Sequence, residues 1–195
     1  SFYLSGGTAL AEFYLHHRLS EDLDFFSEEE VDAAGISALI KKMSPSAGII
    51  EVTFEQSFNR NLFFVHMADS LVKTEFTYYP FPRIEPGLMH GALAVDSLLD
   101  IAVNKVFTIS QKPRSRDFID LYCILQKQKD WTFDDLILKA QAKFDHHIDP
   151  LQMSAQCLQA TELKDFPTMI IPLGEERWQD FFIKISKRLA QSQLT

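Results

Sequence analysis

Two short stretches near the start of the chain carry residue types that could perform phosphoryl chemistry. Gly6 and Gly7 follow a strand-like apolar run and precede a helix-like run. Glycines at the start of a helix let backbone N–H groups approach an anion, and the helix dipole favours negative charge there. Asp22 and Asp24 alternate with apolar residues in a second strand-like run, so both side chains point to one face. Because adjacent carboxylates repel unless a divalent cation lies between them, the two stretches predict metal-assisted phosphoryl or nucleotidyl transfer.

Polar residues flank both stretches and extend the candidate site. Arg18 could bind phosphate oxygens bidentately, and Ser20 could donate a hydrogen bond to terminal phosphates. Alternatively, Arg18 could be an exposed cation at the end of the first helix, where the dipole favours positive charge. Thr8 is the predicted N-cap of that helix and, beside the glycines, belongs to the same candidate nucleotide-binding group.

The front half of the chain has the pattern of a mixed α/β fold, and its strands must position these residues. After the acid-x-acid strand, three strand-like runs separated by turn-forming residues predict an antiparallel meander: Ile49–Gln56, Leu62–His66 and Val72–Tyr79. Several prolines then break the pattern, so the sequence predicts a connection or a domain edge at about residues 80–92.

The back half of the chain has the pattern of a helical domain. Asp96 is the predicted N-cap of a helix whose apolar residues recur at helical spacing. Further helices are predicted at about residues 116–126, 132–143, 150–159 and 175–190. The fold class predicted from the sequence is therefore α/β (α+β), with a mixed core over residues 1–90 and a helical domain over residues 91–195.

The composition describes a globular chain and narrows the classes of partner. Of the 195 residues, 46% are hydrophobic and 24% are charged, and the formal net charge is −8. This acidic balance argues against broad electrostatic binding to nucleic acid, while a local basic patch stays compatible with it. No apolar run approaches the ~20 residues of a membrane span. With only Cys123 and Cys157 as thiols, the sequence predicts a cytoplasmic protein with reduced cysteines and no membrane partner.

Three ordered blocks of sequence resemble a known family. The Gly6–Gly7 pair followed by the acid-x-acid strand resembles the signature of the polymerase-beta-like nucleotidyltransferase superfamily. Within it, Leu4–Leu10 together with Arg18–Phe26 looks like the AbiEii/AbiGii toxin family. Lys105 followed by Arg116–Tyr122 matches the C-terminal motif of that family. The resemblance implies a nucleotidyltransferase-like mixed sheet flanked by helices, followed by a C-terminal helical bundle that closes the cleft.

The superfamily places a third carboxylate on a later strand, and Glu75 is the matching position. The superfamily residue is usually Asp, so Glu75 lengthens the arm by one methylene, whereas Mg²⁺ demands strict coordination geometry. The sequence leaves two interpretations of Glu75 equally open. It is either a third metal ligand that helps to activate the acceptor hydroxyl or a surface glutamate paired with a lysine.

The resemblance also assigns roles to three residues of the helical half. A lysine at the position of Lys105 approaches the nucleotide in the family and would neutralise triphosphate charge. Asp117 and Asp120 share one helix face, and the family would have them line the active-site cleft. On physical grounds alone, Lys105 could be solvated, and Asp117 could simply stabilise the start of its helix. Asp120 lies among apolar residues and needs a partner, for which Lys105 or Arg116 is suitable.

The sequence therefore predicts a Mg²⁺- or Mn²⁺-dependent nucleotidyltransferase that moves NMP from an NTP to an acceptor. The candidate nucleotide-binding residues are Gly6, Gly7, Thr8, Arg18, Ser20, Lys105 and Asp117. The candidate metal ligands are Asp22, Asp24 and Glu75, which with Lys105 and Asp120 form the candidate catalytic set. The resemblance implies a toxin of a toxin–antitoxin or abortive-infection system, with a cognate antitoxin and a tRNA or protein acceptor. Two alternatives stay open: a catalytically inactive nucleotidyltransferase fold that acts as a protein-binding module, and a kinase-like transferase of the γ-phosphate.

Overall fold

The computed structural model describes residues 1–191, so the last four residues of the predicted helical domain lie outside the described residues. The chain divides into two compact units. The sheet unit comprises Ser1–Ala9, Ser20–Pro82 and Pro86–Asp96. The helical unit comprises Leu10–Leu19, Arg83–Glu85 and the chain from Ser97.

A seven-stranded mixed sheet forms the sheet unit. Its strands are β1 (Tyr3–Ser5), β2 (Leu23–Ser27), β3 (Ile49–Ser57), β4 (Arg60–Met67), β5 (Leu71–Tyr78), β6 (Leu88–His90) and β7 (Leu93–Val95). Their order is β3-β4-β5-β2-β1-β7-β6. Strand β2 runs parallel to β5 and β1 runs parallel to β7, whereas the other pairs are antiparallel. The predicted mixed fold class and the three-stranded meander β3–β5 are thus confirmed.

The connection predicted over residues 80–92 is wrong in part, because β6 lies within that range. Strands β6 and β7 form a tight hairpin in which Gly91 adopts a φ of 60°. Each strand has only three residues. They join the sheet because β7 pairs with β1, which is distant in sequence. Pairing with a distant strand cannot be predicted from the local sequence pattern.

Aromatic residues pack together on one face of the central strands of the sheet unit. Phe25 on β2 and Phe76 on β5 are register partners, and their rings stack with centroids 5.1 Å apart. Phe63 on β4 is buried and meets Phe76 edge to face. Because successive strand residues point to opposite faces, this aromatic face leaves the alternate residues for the other face. Those alternate residues include the candidate acids.

The first helix begins two residues before its predicted N-cap, and the second helix follows an aspartate cap. Helix α1 (Gly6–Leu10) begins at Gly6, so Thr8 lies inside the helix and the prediction that it is the N-cap is wrong. A π-helical turn over Ala11–Leu15 continues the helix and ends at His16, whose φ is 51°. Helix α2 (Ala33–Ala47) begins after Asp32, whose carboxylate accepts a hydrogen bond from the Gly35 N–H.

Five longer helices make up most of the helical unit. They are α3 (Leu98–Gln111), α4 (Ser115–Lys127), α5 (Phe133–Phe144), α6 (Pro150–Leu158) and α7 (Glu175–Gln191). The N-cap of α3 is Ser97, one residue beyond the predicted Asp96, because the Ser97 hydroxyl accepts from the Asp100 N–H. The other predicted helices agree with α4–α7 to within one or two residues at each end.

Buried rings and one buried ion pair hold these helices together. Trp178 and Phe182 of α7 pack on Phe118 of α4. The Lys143 ammonium of α5 lies 2.7 Å from the Asp100 carboxylate of α3, with both side chains almost fully buried. Asp100 also accepts hydrogen bonds from the backbone of residues 84 and 85. The two cysteines are free, one buried and one half-buried. Within residues 1–191, no helix combines the length and apolar character needed to cross a bilayer.

Candidate functional site

The candidate acids of the sheet unit lie together on one face of the sheet. Asp24 of β2 and Glu75 of β5 are direct register partners on neighbouring parallel strands. Asp22 precedes β2 by one residue, so it lies two residues from Asp24. Paired residues on adjacent strands point to the same side, opposite the stacked rings of Phe25 and Phe76. We call this surface, formed by Asp22, Asp24 and Glu75, the acidic face.

Gly6 lies close to the Asp24 carboxylate. A Cβ atom placed on Gly6 would lie 2.6 Å from Asp24 Oδ2, and the Gly6 φ of +71° is one that L-residues rarely adopt. Glycine is therefore required here for two separate physical reasons, backbone conformation and space. The sequence prediction considered only the approach of a phosphate to Gly6 and Gly7, whereas the structure shows that Gly6 also accommodates the carboxylate.

Thr8 and Ser20 connect the first helix to the segment that leads into β2. The Thr8 hydroxyl lies 2.9 Å from Ser20 Oγ and also contacts the Asp22 carbonyl oxygen. A hydroxyl has one proton, so Thr8 donates to one of these oxygens and accepts from Ser20 when it donates to Asp22. These contacts fix the backbone at Asp22 relative to the start of α1. The structure thus brings Gly6, Thr8, Ser20 and Asp22 together within the sheet unit.

Two basic side chains pair with the acidic face. Lys73 Nζ lies 3.1 Å from Asp22 Oδ2, and both groups are partly exposed. Arg60 donates from Nε to one oxygen of Glu75, at 2.6 Å, and from Nη2 to the other. The Thr77 hydroxyl donates to Glu75 as well, at 2.7 Å. Glu75 is buried and paired with an arginine, so the interpretation as a surface glutamate paired with a lysine is wrong.

These contacts determine the charge of Glu75. Burial alone would raise the pKa of its carboxyl, but the hydrogen bonds from Arg60 and Thr77 and the Arg60 charge outweigh burial, so the pKa is lowered. The same pair raises the pKa of Arg60, with desolvation opposing the effect of Glu75. Glu75 is consequently an ionised carboxylate whose two oxygens both accept hydrogen bonds from the protein.

The residues of the acidic face differ in how well they suit a divalent cation. Asp22 and Asp24 offer two carboxylates on one face, and Asp22 is partly exposed, which suits a hard cation shared with substrate oxygens. Both oxygens of Glu75 are engaged by Arg60. Among residues 1–191, no group of three His, Cys, Asp or Glu side chains is arranged to hold a metal ion.

Asp120 is the centre of a second cluster, which lies entirely within the helical unit. Its buried carboxylate accepts from Arg18 Nε at 2.7 Å and from Arg18 Nη2 at 2.8 Å. His17 Nε2 lies 2.8 Å from Oδ1, and Lys105 Nζ lies 2.9 Å from Oδ2. We call Asp120 with Arg18, His17, Lys105 and Asp117 the Asp120 cluster. The predicted partnership of Asp120 with Lys105 is present, and the alternative of an exposed Arg18 is wrong because its guanidinium is buried.

Asp117 connects this cluster to the start of α4. Its Oδ1 lies 2.7 Å from Lys105 Nζ, and its Oδ2 accepts a hydrogen bond from the Arg114 N–H at 3.0 Å. Asp117 is therefore a first-turn acid, as one of the two predicted interpretations has it, and it is also a partner of Lys105, which the sequence analysis predicted only for Asp120. Lys105 is buried between two carboxylates and is not solvated.

Mutual pairing keeps this buried cluster ionised. For Asp120, burial would raise the pKa, but the Lys105 charge and the hydrogen bonds from Arg18 and His17 lower it far below its usual range. For Lys105, burial would lower the pKa, but the charges of Asp120 and Asp117 raise it. The pKa of Arg18 is also raised, because Asp120 outweighs the desolvation. Each basic side chain thus keeps its acidic partner ionised, and each carboxylate keeps its basic partner protonated.

Sequence reasoning missed Arg60, Lys73, Thr77 and His17 as parts of these clusters. Lys73 and Thr77 each lie two residues from Glu75, so strand alternation alone would have placed them on the acidic face. Arg60 was interpreted as part of a turn, whereas it opens β4. His17 had no local signal, because its partner Asp120 is 103 residues away.

Comparisons with known proteins agree with this fold. The family model described as "Nucleotidyl transferase AbiEii toxin, Type IV TA system" matches residues 1–191. An uncharacterised protein of Aquifex aeolicus is 32% identical over 147 residues, which are 73% of this chain and 66% of that protein. The chain thus spans just under two thirds of the length of this relative.

Two solved structures from Helicobacter pylori share the fold. One is a protein provisionally assigned as a nucleotidyltransferase, with a TM-score of 0.63 and 18% identity, covering 98% of this chain and 87% of its own. The other is JHP933, with a TM-score of 0.60 and 16% identity, covering 98% of this chain and 84% of its own. At these identities, the likeness concerns the fold alone.

Proposed function

Because the chain belongs to the AbiEii family of nucleotidyltransferase toxins, we propose that it transfers NMP from an NTP to an acceptor in a reaction that needs Mg²⁺ or Mn²⁺. The acceptor is an RNA, such as a tRNA, or a protein. The biological role that we propose is that of the toxin in a toxin–antitoxin or abortive-infection system, with a cognate antitoxin as partner.

One observation carries this proposal: two aspartates share one sheet face, and one of them, Asp24, lies against a glycine that opens a helix. Asp24 Oδ2 would lie 2.6 Å from a Cβ atom on Gly6, so this carboxylate occupies space that any side chain at residue 6 would need. The carboxylates of Asp22 and Asp24 suit a divalent cation, and the N–H groups of Gly6 and Gly7 suit a phosphate. The juxtaposition supports binding of a metal–triphosphate complex, which neither feature would support by itself.

The candidate metal-binding and phosphate-binding residues of the sheet unit have distinct roles in this proposal. Asp22 and Asp24 hold the cation, while Gly6, Gly7 and Ser20 bind the terminal phosphates and Thr8 positions Ser20. A bound divalent cation supplies Lewis-acid stabilisation of the charge that develops on the phosphoryl oxygens. The acceptor hydroxyl oxygen forms a bond to the α-phosphorus and gives up its proton to solvent, while the bond from that phosphorus to the pyrophosphate oxygen breaks and pyrophosphate leaves. The chain's contribution is to align the triphosphate so that attack and departure are in line.

The residues of the Asp120 cluster remain predicted participants in the reaction. Lys105, Asp120, Asp117 and Arg18 were assigned to the site through the resemblance, and the structure shows them in a buried network. In this network Asp120 and Asp117 hold the Lys105 ammonium, so we propose that the two acids act through Lys105. We expect Lys105→Met to abolish NMP transfer. The matched control is Lys42→Met, because Lys42 is exposed, and we expect this variant to transfer NMP as the wild type does.

Thermal unfolding with ligands tests whether the sheet unit binds a metal–nucleotide complex. With Mg²⁺ and each of the four NTPs in turn, we expect one nucleotide to raise the melting temperature only when Mg²⁺ is present. A ligand at a hundred times its dissociation constant stabilises the folded state by about 2.7 kcal/mol. The shift should disappear in Asp22→Ala/Asp24→Ala and persist in Asp69→Ala, an exposed loop acid. A wild-type protein unaffected by any NTP would contradict the proposal.

A second candidate is a nucleotidyltransferase fold that binds a protein partner and has no catalytic activity. The observation that favours it is that protein cations already neutralise two of the three acids, Lys73 on Asp22 and Arg60 on Glu75. Such a face needs no metal for its own stability. This candidate predicts no melting shift with any NTP, so the same experiment separates it from the transferase.

A further inference from the structure

We propose that Arg60 binds a phosphate of the nucleotide and that Glu75 is the positioning residue that orients it, not a ligand of the metal. This inference rests on the proposed function, because it presupposes that a polyphosphate binds at the acidic face. It replaces a third carboxylate ligand with a guanidinium that contacts the substrate.

The hydrogen bonds of Arg60 leave one edge of its guanidinium available. Nε and Nη2 donate side by side to the two oxygens of Glu75, which is the bidentate arrangement of a planar fork. The end-on edge, formed by Nη1 and the second N–H of Nη2, also presents two N–H donors side by side and can bind a phosphate bidentately. No hydrogen bond from Nη1 is found among the residues that the structure describes.

The two side chains of this pair differ in exposure. The Arg60 side chain is 51% exposed, whereas the Glu75 side chain is 8% exposed. Glu75 therefore forms the buried side of the pair, and the Arg60 side chain is accessible to solvent and to a ligand. Oε1 of Glu75 accepts hydrogen bonds from both Arg60 and Thr77, and Oε2 accepts one from Arg60, so three of the about four acceptor positions of this carboxylate are already occupied by protein donors.

Two further contacts make Arg60 a rigid donor. Arg60 opens β4 and is the register partner of Thr77, and the Thr77 hydroxyl donates to the same carboxylate. Glu75 is in turn the register partner of Asp24. The series Thr77–Glu75–Arg60 thus runs along the acidic face beside Asp24, one of the two proposed metal ligands. Ordering the guanidinium before the ligand arrives reduces the entropy lost on binding.

The charges of the acidic face give a reason for this arrangement. Three carboxylates, Asp22, Asp24 and Glu75, would repel a polyphosphate even with one divalent cation between two of them. Lys73 and Arg60 offset two of these charges. Arg60 offers in addition the bidentate geometry that phosphate recognition uses, which the lysine ammonium lacks. Arg60 therefore supplies, in addition to the divalent cation, a second positive charge that attracts the polyphosphate to the acidic face.

Binding of Mn²⁺ and of Mn²⁺–tripolyphosphate separates the two roles of Glu75. We expect Arg60→Ala to weaken tripolyphosphate binding at least tenfold in calorimetry and to leave the affinity for Mn²⁺ alone unchanged. Glu75→Gln should weaken tripolyphosphate several-fold, also without an effect on Mn²⁺, whereas Asp24→Asn should abolish Mn²⁺ binding. Arg60→Lys should give an intermediate loss, because it keeps the charge but not the fork. The matched control is Arg188→Ala, since Arg188 is an equally exposed, ion-paired arginine in the helical unit.

The double variant Arg60→Met/Glu75→Gln keeps the test decisive if a single variant does not fold. It removes both charges of the pair, so no buried charge is left without a partner, and it should bind Mn²⁺ normally and tripolyphosphate weakly. Loss of Mn²⁺ affinity in Glu75→Gln would overturn the inference, because it would make Glu75 a metal ligand. Unchanged tripolyphosphate affinity in Arg60→Ala would also overturn it, even if Arg60 affected the KM for an acceptor. A wild-type protein that binds neither probe would refute the proposed function itself.

Discussion

At the scale of single residues, most of the buried charged groups in the described part of this protein are paired with one another. Asp120 accepts hydrogen bonds from Arg18 and contacts Lys105 and His17 while fully buried. A buried ion pair contributes little net stability compared with apolar packing, but removal of one partner leaves an uncompensated charge. The acids of the Asp120 cluster therefore contribute to folding in addition to any role in the reaction. Activity measurements on their variants must include a measurement of folding.

Replacement of Asp120 tests this interdependence. Asp120→Asn leaves Arg18 and Lys105 without their shared carboxylate charge, so we expect a loss of about 3–5 kcal/mol in the free energy of unfolding. Denaturant titration followed by circular dichroism measures this loss. Asp134→Asn is the control, because Asp134 pairs with Arg188 on the exposed surface and should cost at most about 1 kcal/mol. Equal effects of the two substitutions would show that the Asp120 cluster is not the buried network described here.

The sequence anticipated some of these residue contacts and not others. Asp120 lies among apolar residues on a helix, so burial predicted a basic partner, and Lys105 is that partner. Arg18 could not be assigned to it, because the two residues are 102 positions apart and nothing in the local pattern links them. Arg60 was missed for a different reason: its neighbours Asn59 and Asn61 favour a turn, which obscured the start of β4.

At the scale of secondary-structure elements, alternation in β2 and β5 produces the acidic face. Phe25 and Phe76 stack on one side of the sheet, and this fixes Asp24 and Glu75 on the other. A shift of one residue in the pairing would exchange the two faces, so the aromatic core determines the register of the candidate site. The sequence predicted this alternation well because it is a local property with period two. The meander β3–β5 was predicted too, because its strands are consecutive in sequence, whereas the pairings of β2 with β5 and of β7 with β1 join distant segments and were not predicted.

Gly6 is the element-scale feature that can be tested most simply. Gly6→Ala places a Cβ against Asp24 and forces a left-handed φ, so we expect lower stability and loss of Mn²⁺ binding. Gly48→Ala separates the two causes, because Gly48 has a similar φ of +69° with no atom near the added Cβ. It should cost about 1–2 kcal/mol from backbone strain alone and leave Mn²⁺ affinity intact. Normal Mn²⁺ binding by Gly6→Ala would contradict the proposed contact between the carboxylate and the helix start.

At the scale of the whole molecule, several buried carboxylates determine how stability depends on pH. The pKa values of Asp120, Asp100 and Glu75 are lowered, in each case because hydrogen bonds and nearby cations outweigh burial. The unfolded chain, in which aspartates titrate near pH ~3.9, therefore binds more protons than the folded protein at acidic pH. Stability from these groups is present above that pH and is lost as the pH falls towards the lowered values.

This linkage predicts a stability plateau at neutral pH and a decline below about pH 4. Lys105 and Arg18 have raised pKa values, so their contribution is present at neutral pH and is lost only as the pH rises beyond the ordinary lysine range. Urea denaturation at a series of pH values measures the profile. The Asp120→Asn variant should show a shallower decline on the acidic side than the wild type. A wild-type protein as stable at pH 3 as at pH 7 would contradict the pairing of these acids.

The division into a sheet unit and a helical unit places one group of candidate residues in each. The chain belongs to the AbiEii family, and the acidic face supports our proposal that its chemistry is nucleotidyl transfer. The acidic net charge of −8 makes a broad RNA-binding surface improbable on electrostatic grounds. An RNA acceptor would accordingly have to be recognised locally, and its binding should depend only weakly on salt.

The measurement that tests the central claim most directly follows the two ends of the triphosphate separately. The protein is incubated with Mg²⁺, tRNA or a protein extract, and an NTP labelled either on the α- or on the γ-phosphate. Nucleotidyl transfer predicts that the α-label appears in the acceptor, that the γ-label leaves as pyrophosphate, and that both events stop in Asp22→Asn/Asp24→Asn. Transfer of the γ-label to the acceptor, or retention of both labels in an NTP that nevertheless binds, would contradict the account.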